Sequence, residues 1–381
     1  MRRVLDEGRS IIIETSGSTG VPKRVVLSAA ALRASAEATA ARIGSGRWVL
    51  ALPTHYVAGL QVLVRSVLAG TSPATIGGHF TAAAFAAATR AAAAEGSPLF
   101  TSLVPAQLAT VIEAAEQDAG IQAAAASYEA CLVGGQATPV ALRERAAALG
   151  IRLVRTYGSS ETAGGCVYDG VPLPGVTVRV VEGELQIAGP TLAEGYLGDP
   201  ALTARTFVTD ACPERPSSRS GPARPVPERG IAERSRDEGR PGTGPAESAG
   251  DDVAGTRWYR TGDLGRIDRG VVSVTGRADN VIISGGVNIS LDQVERVVRE
   301  VPGLADAVVV GVDDERWGQA PAIFVALRSG SDGETLLAAA RAAVESAVGA
   351  PARPRELHAV ASIPTLPSGK PDRRALAALF S

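Results

Sequence analysis

The stretch TSGSTGVPK, Thr15 to Lys23, follows the strand-like IIIE and holds the residue types that wrap a polyphosphate. Gly17 and Gly20 let backbone amides approach anionic oxygens closely, the hydroxyls of Thr15, Ser16, Ser18 and Thr19 can donate to them, and Lys23 supplies an ammonium group. The G-x-x-x-x-G-K-[ST] spacing of a Walker loop is absent, which argues against a P-loop ATPase or kinase. A plain polar turn would account for the glycines and serines, but gives no reason for Pro22 and Lys23 in this order. Two further groups could do chemistry: Asp263, in TGD, and Lys370, in PSGK. Taken alone, the first is a favoured turn former and the second a solvated hairpin tip.

The elements that must position these groups follow an α/β rhythm. From Ile11 onward apolar strands alternate with alanine-rich helical stretches, as in a domain with a mainly parallel sheet. IIIE and WVLALP are strand-like, and Ser28 to Ile43 is helical. The alanine-rich stretches at about 82–95 and 105–127 favour helix by propensity and carry no functional signal. Residues 211–256 are rich in Arg, Pro, Glu, Ser and Gly, and such a segment is expected to be a mobile insertion. WYRTGDLGRID and VVSVTGR then read as strands joined by a turn. From about Val281 a smaller unit follows, with a helix Leu291–Arg299, strands at AVVVGV and AIFVAL, a helix from about Glu334 to Val348 and a terminal helix from Asp372.

Composition bounds the function. In 381 residues, 45% are hydrophobic and 38 Lys+Arg balance 40 Asp+Glu, for a formal charge of −2. The chain can bury a large core and divide into domains, but has no basic field for nucleic acid or an anionic membrane. MRRVLDEGRSIII lacks the apolar stretch of a signal peptide, no run approaches a membrane span, and a cytoplasmic protein is expected. Cys131, Cys166 and Cys212, with His55, His79 and His358, are too scattered for a zinc site or a disulfide framework.

Four more segments join the Thr15–Lys23 loop: TYGSSETAG (156–164), YRTGDLGR (259–266), GRADNVIISGGVNIS (276–290) and LPSGKPDRRAL (366–376). Together, and in this order, they resemble the adenylate-forming superfamily of acyl-CoA ligases, luciferases and peptide-synthetase adenylation domains. The resemblance spans nearly the whole chain apart from the insertion. It implies an α/β fold with a large adenylating domain of packed sheets and helices at 1–278, interrupted at about 211–256, and a small mobile α+β lid domain at 279–381. Since the phosphate loop begins near residue 15, whereas most relatives carry a sizeable region before it, the large domain is expected to be compact, N-terminally short and reduced in its sheet.

Residue by residue, the resemblance implies that Thr15, Ser16, Gly17, Ser18, Thr19, Gly20 and Lys23 hold the phosphates of ATP. Gly134 and Gly135 let the nucleotide approach a strand end, and Tyr157 and Gly158 lie against adenine. Ser160 keeps the hydroxyl of the family's usual threonine, and Glu161 helps hold Mg²⁺. Asp263 accepts from both ribose hydroxyls, Arg277 contacts the nucleotide and Asp279 is the hinge of the small domain. Lys370 matches the catalytic lysine, which spreads charge as a carboxylate attacks the α-phosphate. After rotation of the small domain, Gly285 and Gly286 flank the tunnel for CoA; Val287 stands where relatives often have an acidic residue.

The segments ALPTHYVAGLQVLVRS, TSLVPAQL and TAGGCVYDGVPLPGV look most like the o-succinylbenzoate-CoA ligases of menaquinone biosynthesis. On that resemblance Arg65 faces the aromatic carboxylate of the acid, since a dicarboxylate needs a cation for the group that does not react. The alternative is that Arg65 is a surface helix residue. His55 and Tyr56, the latter where relatives often have His, would close one side of the acyl pocket, and Gly59 would leave room for the ring. The expected partners are a small carboxylic acid, ATP and CoA, with a homodimer left open. A ligase for another aryl or fatty acid is the near alternative, and a non-catalytic nucleotide-binding homologue the remote one; loss of Lys23, Glu161 or Lys370 would mark the latter, and all three are present. Lys370→Ala is expected to slow acid-dependent pyrophosphate release at least a hundredfold, since one preorganised donor is worth on the order of 3 kcal/mol. Transfer from preformed acyl-adenylate to CoA should remain; equal loss of both steps would remove the lysine from the first.

Overall fold

A computed structural model of the chain describes residues 1–15, 23–94, 96–210, 255–327, 330–366 and 371–379. The central sheet has seven strands in the order Ala74–Thr75, Arg47–Leu50, Leu99–Leu103, Ala130–Val133, Leu153–Ser159, Gly164–Tyr168, Val171–Pro172. The first five are parallel, and the last two run antiparallel to their neighbours. Leu99–Leu103 and Ala130–Val133 are buried at every position, as a parallel sheet covered on both faces requires. Alternation sorts their side chains. Trp48, Phe100 and Leu132 enter one core with the helices Ala29–Ile43 and Val57–Leu68, while Val49, Leu99, Leu103, Cys131 and Val133 enter a second core with residues of Ala82–Ala93, Pro105–Ala115, Ala119–Ala126 and Val140–Ala148.

The mainly parallel reading therefore holds for residues 47–159 and not from Ile11 onward. Ile11–Thr15 and Lys23–Leu27 pair antiparallel, with Thr15 opposite Lys23. The seven-residue connection between them is too short for the crossover that a parallel pair needs. Gly195–Tyr196 completes this small sheet on the other side of Lys23–Leu27. The alanine-rich stretch after residue 105 is two helices rather than one. Asp118 is extended and its carboxylate accepts from the backbone N–H of Gly120 and Ile121, so it caps a new helix.

A five-stranded antiparallel sheet holds Thr177–Val181, Glu184–Ala188, Arg257–Asp268, Phe207–Thr209 and Val271–Arg277. Arg269 and Gly270, with φ of 47° and 81°, turn WYRTGDLGRID into VVSVTGR. Most of the expected insertion, 211–254, lies outside the described residues. Its flanks meet, since Thr209 pairs with Arg257 and the Asp210 N–H donates to the Thr256 carbonyl. The insertion thus joins neighbours in one ladder.

From Val281 a separate sheet, Val287–Ser290, Val281–Ser284, Gly318–Val325 and Val308–Asp314 with Glu356–Ala359 parallel to Gly318–Val325, packs against Leu291–Arg299 and Gly333–Ala347 around its own core of Val294, Val298, Val309, Ile323 and Val344. Phe100 is 1% exposed at the middle of the main sheet. Phe100→Ala is expected to lower stability by about 3–5 kcal/mol in urea unfolding followed by circular dichroism; a loss below about 1 kcal/mol would mean that this sheet is not the folding core.

Candidate active site

Lys23 begins the strand that closes the phosphate hairpin, and its ammonium lies 5.7 Å from the centre of the Tyr196 ring. Thr15 is its register partner, so the two described ends of the loop stand side by side. Ser16, Gly17, Ser18, Thr19 and Gly20 lie outside the described residues, as does Lys370.

The Leu153–Ser159 strand ends in a one-turn reversal, Ser160–Thr162, and returns as Gly164–Tyr168. Ala163 closes the reversal at φ 50°, and its carbonyl accepts from Ser35 Oγ at 3.0 Å and Gln61 Nε2 at 2.8 Å, both buried. Thr162 Oγ1 accepts from the Ser159 N–H and lies 2.7 Å from the Gly164 carbonyl. The turn presents Ser160, half-buried, and Glu161, which is 8% exposed. Tyr196 donates to Glu161 Oε1 at 2.8 Å, and no described residue donates to Oε2.

The glycines here serve the chain's own packing. A Cβ on Gly134 would stand 2.3 Å from Thr156 Oγ1, and one on Gly158 would stand 2.2 Å from the Gly164 carbonyl oxygen. Among the described residues, what approaches these positions closely is a neighbouring strand. Gly135, at φ 83° with only Val104 near, is needed for its backbone conformation.

Tyr157 reaches the antiparallel sheet, and its hydroxyl donates to Asp263 Oδ2 at 2.7 Å. Arg277, opposite Asp263 in the register of the adjoining strand, donates from Nη1 to Asp263 Oδ1 at 3.2 Å. The same guanidinium grips Asp279 with Nε at 2.9 Å and Nη2 at 3.0 Å. The hinge candidate and the ribose-binding candidate therefore share one arginine. Burial pushes the Asp263 carboxyl above the ordinary range, against the hydrogen bond from Tyr157 and the charge of Arg277, which favour its ionised form. Burial and the nearby Asp263 carboxylate raise the Tyr157 phenol, which stays a donor.

Arg65, in the helix Val57–Leu68, is 7% exposed, so it is not a surface helix residue. Its guanidinium lies 4.8 Å from the centre of the Trp48 ring, and Nη2 donates to the Tyr168 hydroxyl at 3.3 Å. Nε is buried with no partner, and no carboxylate pairs with this cation among the described residues. Burial lowers its pKa. A buried guanidinium without a counter-ion is costly, which marks a place for an anion. His55 is exposed and Tyr56 half-buried before the same helix, their ring centres 4.3 Å apart. Gly59 has a packing reason: a Cβ would stand 2.2 Å from the Pro53 carbonyl oxygen, so the glycine seats the helix on its incoming loop rather than making room for a ring.

Gly285 and Gly286, at φ 57° and 82°, form the two-residue turn between Val281–Ser284 and Val287–Ser290. Gly285 also lies under Trp317, whose ring a Cβ would meet at 2.5 Å. Sequence reasoning missed Tyr196, Gln61, Ser35 and Tyr168; each acts through a contact distant in sequence, and none stands in a spacing that signals it.

The profile described as AMP-binding enzyme matches residues 7–197, and that of the AMP-binding enzyme C-terminal domain matches 293–370. A probable 2-succinylbenzoate–CoA ligase of Mycobacterium tuberculosis H37Rv is 38% identical over 384 residues, covering 99% of this chain and 86% of that protein. The chain belongs to the AMP-binding enzyme family. Among solved members of this fold, o-succinylbenzoate CoA synthetase (MenE) from Bacillus subtilis, in complex with the acyl-adenylate OSB-AMP, superposes with a TM-score of 0.73 at 22% identity, over 96% of this chain and 68% of that one. An arginine-to-lysine variant of Escherichia coli MenE with bound OSB-AMS gives a TM-score of 0.68 at 25% identity, over 98% of this chain and 69% of that one.

Mg²⁺ fits such an AMP-binding enzyme site as a companion of a triphosphate. No group of three His, Cys, Asp or Glu side chains gathers among the described residues, but Mg²⁺ beside a nucleotide takes most ligands from phosphate and water and needs only one or two carboxylates. Glu161 would be the candidate for such a carboxylate.

As a candidate ribose acceptor Asp263 would bind best when ionised, so ATP binding is expected to weaken as pH falls through its raised pKa. Tyr157→Phe keeps the ring and removes a hydrogen bond that favours the ionised form. The acidic limb of the pH profile for ATP binding is therefore expected to move to higher pH. A limb that stays in place would separate Tyr157 from Asp263.

Proposed function

We propose that this AMP-binding enzyme is an acid–thiol ligase that adenylates 2-succinylbenzoate and passes the acyl group to CoA, as a step of menaquinone biosynthesis in the cytoplasm. Residues 1–278 are taken as the adenylating domain and 279–381 as the lid. Among the described residues no helix is long and apolar enough to cross a membrane.

The observation that carries the reading is the buried Arg65, stacked on Trp48 and left without a carboxylate among the described residues. A dicarboxylic acid brings the missing anion: its unreactive carboxylate is held by Arg65 and its reactive one is directed to the nucleotide. The 38% identity to the mycobacterial probable 2-succinylbenzoate–CoA ligase supports the same substrate.

In the first step an oxygen of the free carboxylate attacks the α-phosphorus of ATP and pyrophosphate leaves. Lys23 and the hydroxyl-rich loop hold the outgoing phosphates, Asp263 orients the ribose, and Lys370 spreads the charge as two anions meet. Mg²⁺, when bound beside Glu161, supplies charge neutralisation on the pyrophosphate. In the second step the CoA thiolate attacks the acyl carbon and AMP leaves, with the Gly285–Gly286 turn beside the pantetheine arm. Release of the Arg277–Asp279 pair would free the hinge between the steps.

The test compares 2-succinylbenzoate with 4-oxo-4-phenylbutanoate, which lacks the ring carboxylate. The native enzyme is expected to favour the diacid by a factor on the order of 100 or more in kcat/KM, because a buried charge left unpaired is costly. Arg65→Ala should remove most of that preference by raising KM for the diacid, with KM for ATP unchanged. An unchanged preference would take Arg65 out of the acid pocket, and absence of thioester from the diacid would overturn the reaction.

A further inference from the structure

Tyr196 stands where three parts of the nucleotide site meet. It belongs to the edge strand Gly195–Tyr196, whose register partners Val26 and Val25 lie in the strand begun by Lys23. The bonds continue on both sides, with the Glu194 N–H donating to the Val26 carbonyl and the Leu197 N–H to the Arg24 carbonyl. One residue earlier, the Ala193 N–H donates to the Glu161 carbonyl at 2.8 Å. Residues 193–197 therefore tie the phosphate-loop strand to the reversal carrying Glu161. Gly195 permits the approach: at φ 149° it stands so near Thr203 that a Cβ would meet its Cγ2 at 2.5 Å, and Thr203 Oγ1 accepts from the Tyr196 N–H.

The side chain repeats the connection. Its hydroxyl donates to Glu161 Oε1 at 2.8 Å with both residues buried, and its ring lies 5.7 Å from the Lys23 ammonium, within cation–π range. The ring is held by Phe207, 6.0 Å away between centres, which in turn packs on Tyr259. The phenol hydroxyl donates to a carboxylate oxygen that only accepts, and that bond selects one orientation of Glu161. Oε1 is occupied, while Oε2 receives no bond from the described residues.

We infer that Tyr196 is a positioning residue that holds Glu161 through Oε1 so that Oε2 faces the metal of the metal–ATP complex, and that its ring steadies Lys23 on the phosphates. This rests on the reading of Glu161 as the metal carboxylate. A hydrogen bond to an ionised group is worth more than a neutral one, and a freely rotating carboxylate loses orientation when it is removed.

Mn²⁺, a paramagnetic stand-in for Mg²⁺, is titrated into the full chain with saturating ATP and free ion is read by electron paramagnetic resonance. The native chain, Tyr196→Phe, Glu161→Gln and the double variant are compared, with melting curves run on each. Phenylalanine keeps the ring against Phe207 and beside Lys23, so only the hydroxyl changes. The expected result is a roughly five- to tenfold weaker Mn²⁺ affinity in Tyr196→Phe, a loss at least as large in Glu161→Gln, and less than a twofold further effect of Tyr196→Phe in the Glu161→Gln background, since two residues acting through one bond are not additive. If Glu161→Gln weakens Mn²⁺ binding and Tyr196→Phe does not, the inference fails and the role of Glu161 stands. An equal effect of Tyr196→Phe in both backgrounds also overturns it, because the tyrosine then acts without the carboxylate. If Glu161→Gln itself leaves Mn²⁺ binding unchanged, the reading of Glu161 falls with it.

Discussion

The carbonyl of Ala163, held by Ser35 and Gln61 from two helices, fixes the point where the central sheet stops being parallel and turns back. A left-handed conformation at a residue with a Cβ costs on the order of 1 kcal/mol, and two buried donors on one carbonyl offset that cost. From this reversal the placement of the site follows. Tyr157 and Ser159 precede it, Glu161 lies within it, and Gly164–Tyr168 leads back through the interior to Tyr168. The tight approach of Gly158 to Gly164 leaves no slack in the hairpin.

The same hairpin joins Arg65 to the reversal that holds Glu161. Arg65 donates to the Tyr168 hydroxyl, which lies 3.0 Å from Thr39 Oγ1; Thr39 donates to the Ser35 carbonyl, and Ser35 Oγ donates to Ala163. A buried cation is thus connected through hydroxyls to the turn that bears the metal-binding candidate. Such a network is rigid when its members are satisfied, and Arg65, whose buried Nε has no partner, is not fully satisfied. Asp263 shows the opposite arrangement, since Tyr157 and Arg277 occupy both of its oxygens. Asp263 carries its own counter-charge, and on the proposed reading Arg65 would take its counter-charge from the substrate.

Much of this was legible in the sequence because the motifs are contiguous. The Leu291–Arg299 helix, the strands around Val308 and Ile323, and the hairpin of the TGD segment came from periodicity and turn residues. Local pattern could not reveal that Ile11–Thr15 and Lys23–Leu27 pair with each other, or that Asp118 splits an alanine-rich run, since propensity is weaker than strand pairing and capping. The glycines were the instructive difference. Gly59, Gly134 and Gly158 stand inside recognisable motifs, yet each is required by a backbone or side-chain neighbour of the protein itself. Tyr196 and Tyr168 gave no signal, because a tyrosine whose partner is 35 or 129 residues away looks like any core aromatic until the chain is folded.

On the proposed reading the hairpin around Ala163 places acid and nucleotide on one rigid frame, with Arg65 supplying the charge that a diacid requires. A crystal structure of the chain with the non-hydrolysable sulfamoyl analogue of the 2-succinylbenzoyl adenylate would show this arrangement. The ring carboxylate should lie within hydrogen-bonding distance of the Arg65 guanidinium while the ribose hydroxyls meet Asp263. A bound analogue whose ring carboxylate points to solvent, with Arg65 still stacked on Trp48 and unpaired, would contradict the account.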